Sequence, residues 1–211
     1  MTGNRFTGGL ACIILLCGFT SATIIDVVKY TFDNNNKDSS IIPTGISASL
    51  FDSQLKQNPA FVDGHPGKAF EDTGWASGTN FYYFSLTVTQ GYTLSLDSLK
   101  FDNRKEPSTV GGWEVTYSVG GSPFTSAGTG LVDQQNVWLA ASNGLSGIAA
   151  LQNAAGTIYF RIKGTNGSND KKKWDIDNVI LTGDVQVVPE PATISMLILG
   201  MSYLSLRRKS L

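Results

Sequence analysis

The stretch FYYFSLTVTQGYTLSLDSLKF, residues 81–101, decides the fold. Tyr82, Phe84, Leu86 and Val88 alternate with Tyr83, Ser85, Thr87 and Thr89, the two-residue period of a strand with one face on a core. From Tyr92 the pattern resumes through Leu94, Leu96, Leu99 and Phe101. The change of phase between Leu96 and Leu99 predicts a bulge or bend.

Working outward, Trp113, Val115, Tyr117 and Val119 form a third stripe, and Ile158, Phe160 and Ile162 a fourth. Further strands are expected over 27–32, 46–51, 137–140, 147–151 and 174–187, the last broken near Gly183. Gly111-Gly112, Gly120-Gly121, Asn143-Gly144 and Asn166-Gly167 supply turns. No sustained helical stripe occurs between the two ends, and no repeat of propeller or solenoid period is visible. About nine strands with several long connections predict an all-β, two-sheet β-sandwich with jelly-roll connections over residues 23–187.

Composition narrows the function classes. Sixteen basic and seventeen acidic residues leave a net charge of -1, without the basic face that nucleic acid requires, so no nucleic-acid partner is expected. The two cysteines, Cys12 and Cys17, both lie in the N-terminal apolar stretch. The domain therefore has neither a disulfide framework nor thiolate metal ligands.

Both ends carry targeting patterns. Residues 1–22 read as a signal peptide, with Arg5 in the charged region, an apolar run from Leu10 to Phe19, and cleavage expected after Ala22. At the other end, residues 188–211 hold Pro189-Glu190-Pro191, an uncharged run from Ala192 to Leu206, and the basic cluster Arg207, Arg208 and Lys209. Basic residues on that side stay cytoplasmic, so the domain faces outward. The run would make a helix of roughly 22 Å against a hydrocarbon core of about 30 Å, short for a permanent anchor and adequate for a brief halt. The two ends are thus expected to be the chain's only helices, belonging to its signal and sorting segments.

This ordered combination resembles the PEP-CTERM sorting signal. The resemblance implies a Gram-negative-type exported protein that uses the secretion machinery and an exosortase acting near residues 189–191. It also implies transient membrane contact through the C-terminal helix, and delivery from the inner membrane to a cell surface or extracellular matrix rich in polysaccharide. The strand pair at 82–101, the stripe at 113–119 and Ile176-Asp177-Asn178-Val179 with Leu181 and Gly183 resemble the β-sandwich module found ahead of such tails. That resemblance implies a fold similar to carbohydrate-binding modules.

No catalytic residue is assigned. The single histidine, His65, lies in a loop-like stretch and reads as solvated; no G-x-S-x-G turn is present. Glu71, Asp72, Glu114, Asp175 and Asp177 are the carboxylates a polysaccharide hydrolase would draw on, but none lies in a hydrolase motif. Asp26, Asp33, Asp175 and Asp177 are candidate calcium ligands in terminal strands, with Asp175 and Asp177 on one face; the alternative is an exposed polar face. Trp113 and Trp174 continue apolar stripes. Trp75 sits in a Gly-rich loop, either as a sugar platform or packed beneath it. Lys171, Lys172 and Lys173 read as a solvated hairpin tip. The expectation is a non-enzymatic surface or matrix protein associated with polysaccharide. Its rivals are an extracellular polysaccharide hydrolase and an adhesion module that binds protein through strand edges.

Overall fold

In the computed structural model, residues 23–55, 59–75, 78–169 and 171–188, together with 198, 200 and 201, are described. The signal segment, its cleavage position Ala22, and the sorting residues Pro189, Glu190, Pro191, Arg207, Arg208 and Lys209 lie outside them. Among the described residues no helix is long and apolar enough to cross a membrane.

The alternation at residues 81–88 is realised as strand Phe81–Val88, whose even-numbered side chains are buried and odd-numbered ones face outward. In chain order the strands are β1 (Ile25–Tyr30), β2 (Ile46–Ala48), β3 (Asp52–Ser53), β4 (Ala60–Asp63), β5 (Lys68–Thr73), β6 (Phe81–Val88), β7 (Tyr92–Lys105), β8 (Gly112–Val119), β9 (Thr125–Leu131), β10 (Leu139–Gly144), β11 (Gly156–Thr165) and β12 (Lys173–Val187). The first sheet runs β10-β7-β12-β5-β4, with β1 also paired to β12; the second runs β2-β6-β11-β8-β9, with β3 also paired to β6. Every pairing is antiparallel. The chain changes sheet at each connection except β2–β3, β4–β5 and β8–β9. Repeated crossing of this kind gives a two-sheet sandwich with jelly-roll connections.

Three details explain where the pattern was readable and where it was not. Across β7 and β12, Leu96 pairs with Gly183 and Ser98 with Thr182, so Asp97 is the extra residue of a bulge. The phase change between Leu96 and Leu99 records it. Strand β12 is not broken at Gly183; a Cβ there would lie 2.5 Å from the Ser95 carbonyl oxygen, so glycine lets β7 pass close by. Residues 147–151, read as a strand, instead form a 3₁₀ turn over Ala149–Leu151. Leu145 and Leu151 are buried and Ile148 packs on the core, a three-residue spacing that suits a turn and not a strand.

The interior is an aromatic layer. Tyr30, Phe32, Phe51, Phe70, Trp75, Tyr82, Phe84, Phe160 and Trp174 are all buried between the sheets. Phe51 stands at the centre, 5.4 Å from Tyr30, 5.1 Å from Phe32 and 5.7 Å from Tyr82 by ring centroid. The polar tips are satisfied: the Tyr30 hydroxyl donates to the Ser49 carbonyl at 2.7 Å, and the Tyr82 hydroxyl donates to the Trp174 carbonyl. Burial holds the Tyr30 hydroxyl well above the usual tyrosine range.

Gly183→Ala is expected to lower unfolding free energy by about 2 kcal/mol, because its methyl meets fixed backbone. Gly144→Ala, with nothing within 4 Å of its Cβ position, is expected to stay within about 0.5 kcal/mol of the parent. Paired denaturant titrations check both.

Candidate functional site

Trp75, the candidate sugar platform, is fully buried. Its ring centroid lies 4.8 Å from those of both Tyr82 and Trp174, and its indole N–H donates to the Asp72 carbonyl at 2.8 Å. The Gly-rich loop turns it inward, so it is part of the core and presents no face to a ligand.

A cluster of aromatic rings that reach solvent lines the outside of the second sheet. Phe81 and Tyr83 point outward from β6, and Tyr159 and Arg161 from β11. Register places Arg161 directly opposite Tyr83 and Tyr159 opposite Ser85, so the two tyrosines are diagonal neighbours. Phe124, from the β8–β9 connection, leans over Arg161, whose guanidinium carbon lies 3.4 Å from the Phe124 ring centre and 4.2 Å from that of Phe81. Together with Gln54 these groups enclose a groove of about 500 Å³, within the size range of small-ligand sites. Tyr159 is 41% exposed and Phe124 37%, so flat apolar rings are offered to solvent. Desolvation beside those rings lowers the Arg161 pKa.

The outside of the first sheet is built of charges that hold one another. Asp175 pairs across the strands with Glu71 on one side and Arg104 on the other. Arg104 Nε donates to Asp175 Oδ2 at 2.7 Å, and Lys173 Nζ lies 2.8 Å from Glu71 Oε1. These residues, with Val62, Lys105, Glu106 and Asn136, border a polar recess of about 260 Å³. Burial, the main cause, pushes the Asp175 carboxyl up to about 7, Glu71 adding to the rise while Arg104 opposes it. Asp175 and Glu71 face each other on paired strands, each held by a cation, Arg104 and Lys173, while Asp175 Oδ1 is buried with no hydrogen-bond partner among the described residues. Trp138 flanks the recess; the Arg104 guanidinium carbon sits 4.8 Å from its ring centre, and His65 stacks parallel to it at 6.2 Å.

The His65 side chain is exposed, as expected of a solvated loop histidine, while its backbone is anchored. Its backbone N–H donates to Asp177 Oδ2 at 2.7 Å, and its Nδ1 lies 3.7 Å from Asp102 Oδ2. Burial, with Asp102 and Asp33 adding to it, raises the Asp177 carboxyl to about 6 against backbone hydrogen bonds from His65 and Asn178. The alternation expected of β12 holds, with Trp174 and Ile176 facing the core and Asp175 and Asp177 the other side, yet all four are buried. Of the candidate calcium ligands, Asp33 and Asp177 meet the same loop, through Lys68 and His65 backbone N–H groups. Asp26 pairs with Thr182, on the order of 20 Å along β12 from Asp175. Among the described residues no group of three or more His, Cys, Asp or Glu is placed to hold a metal ion. The lysine run is only partly free: Lys173 is held by Glu71, and Lys172 lies 3.5 Å from Glu106.

No family model and no curated protein matches the chain. Solved structures share its outline at low identity. The CBM22-1 xylan-binding domain of Paenibacillus barcinonensis Xyn10C is 11% identical, covering 81% of this chain and 100% of that one, with a TM-score of 0.48. A carbohydrate-binding module specific for non-crystalline cellulose, CBM28, is 12% identical over 72% of this chain and 90% of that one, at 0.47. The K1 cleaved adhesin domain of Lys-gingipain from Porphyromonas gingivalis is 14% identical over 75% and 97%, at 0.44. With scores below 0.5, the fold is established by the strand pairing itself, and no residue role is carried across.

The carboxyls of Asp175 and Asp177 lie above the free value of 3.8 in the folded protein. The folded state therefore keeps protons that the unfolded chain has lost, and stability falls as pH rises from about 4 to about 7. Asp175→Asn, whose amide can face Glu71 while its oxygen accepts from Arg104, is expected to flatten that decline. At pH 8 it should be more stable than the parent by on the order of 1–2 kcal/mol. Thermal melts across pH 4 to 8 check this; a less stable variant at pH 8 would mean that the Arg104 ion pair outweighs the cost of burial.

Proposed function

We propose that this protein is an exported, non-enzymatic module that contacts extracellular polysaccharide through the outer groove of its second sheet. The observation that carries the reading is the cluster of Phe81, Tyr83, Phe124 and Tyr159 around an open groove of about 500 Å³. Aromatic rings at a groove suit the C–H faces of pyranose rings, which stack on the negative face of an aromatic π-system. Gln54, Arg161 and the tyrosine hydroxyls supply polar groups that can fix orientation. Against the hydrolase alternative, the acidic pair Glu71 and Asp175 on the other sheet is engaged by Lys173 and Arg104.

Delivery is the second half of the proposal. Residues 1–22 direct export, and residues 188–211 act as a PEP-CTERM sorting segment, processed by an exosortase at or near Pro189-Glu190-Pro191. The module then remains at the cell surface or in the surrounding matrix.

The test uses protein recovered from the extracellular fraction of the producing cells. Intact mass is expected to show loss of both ends, with a new C-terminus near Pro189. On affinity gels containing the cells' own exopolysaccharide, the same sample should be retarded. Tyr159→Ala should weaken retardation about tenfold, with an unchanged melting temperature. A chain retained through Leu211 would overturn the processing step, and equal retardation of parent and variant would overturn the groove as the contact surface.

A further inference from the structure

The recess of the first sheet and the groove of the second differ in how their charges are matched. On the first sheet Arg104 meets Asp175, Lys173 meets Glu71 and Lys172 meets Glu106. On the second sheet Lys163 lies 3.4 Å from Glu114. At its β3 edge Asp52 is bound to Lys37 at 2.7 Å. The Arg161 side chain, between them in the groove, makes no hydrogen bond or ion pair among the described residues. Its guanidinium instead packs on the rings of Phe124 and Phe81.

That arrangement has a chemical reading. Stacking occupies the flat faces of a guanidinium and leaves its N–H edge available, and a fixed, planar fork of donors matches a carboxylate with two parallel hydrogen bonds. Packing on Phe124 and Phe81 also restricts the side chain before any ligand arrives, so less freedom is lost on binding. The neighbouring acids, Glu114 and Asp52, are engaged with lysines and do not supply the missing anion. The groove therefore presents flat apolar rings beside one unmatched, pre-positioned positive charge.

We infer that the groove selects an acidic polysaccharide, with Arg161, held by Phe124 and Phe81, receiving the carboxylate of a uronic acid unit while Tyr83 and Tyr159 carry its ring and those of its neighbours. The inference rests on the polysaccharide reading above and names its ligand class. A protein segment rich in acidic residues offers carboxylates without the flat C–H faces that the tyrosines suit.

The experiment measures binding of the full secreted protein to polygalacturonate and to its fully methyl-esterified form, the same chain without the negative charge. The parent is expected to bind the acid form at least about tenfold more tightly, with an affinity that falls as salt rises. Arg161→Gln should bring the ratio of acid to ester affinity down to about one, by weakening binding to the acid form at least about tenfold more than binding to the ester. Arg161→Lys should recover only part of the preference, since a point charge replaces the fork. Melting temperatures of both variants confirm an intact fold. Equal binding of acid and ester by the parent would overturn the acidic selection and leave the polysaccharide reading standing. Binding of neither chain, with binding of an acidic peptide, would overturn both.

Discussion

With both cysteines confined to residues 1–22, the two sheets are held together by the burial of aromatic rings between them, and everything else follows from that layer. Tyr82 shows how it works. Its ring touches Phe51, Phe70, Trp75 and Trp174, and its hydroxyl reaches the backbone of β12 in the opposite sheet. Full burial drives its hydroxyl pKa well above the normal value, so it stays a neutral donor at any physiological pH. Fixing the inner face in this way fixes the outer one, because alternate residues of a strand must point apart. Tyr83 is presented to solvent because Tyr82 and Phe84 are not.

The sequence carried much of this and concealed the rest for identifiable reasons. Strands β6, β7, β8 and β11 were legible because one face of each is buried and the other is not. Strand β5 was not, since Ala69, Phe70, Glu71, Asp72 and Thr73 are all buried and no alternation survives. Strand β9, TSAGTGL, was hidden by its small, largely exposed residues. The groove was half visible. Phe81 and Tyr83 belong to a readable strand, but their proximity to Phe124 and Arg161 depends on which strand pairs with β6, and pairing leaves no local mark. Trp75 stayed open between a platform and packing beneath its loop, because only the placement of Tyr82 and Trp174 around it decides for packing.

The contrast between the two outer faces bears most directly on function. The first sheet buries Asp177 beneath the His65 loop and pairs Asp175 and Glu71 with Arg104 and Lys173, and Arg104 occupies a face of Trp138. Its recess is closed on itself electrostatically. The second sheet leaves its rings and one cation open. An account based on aromatic content alone would have chosen a tryptophan, whereas burial and charge matching select tyrosines, a phenylalanine and an arginine.

The most direct test of this account is a map of backbone amide shifts in the isotopically labelled protein as a short acidic oligosaccharide is added. The account requires the perturbed amides to cluster at residues 81–83, 124 and 159–161, on the outside of the second sheet. Shifts clustered instead around Arg104, Trp138 and Asp175 would contradict it and move the contact surface to the opposite face of the sandwich.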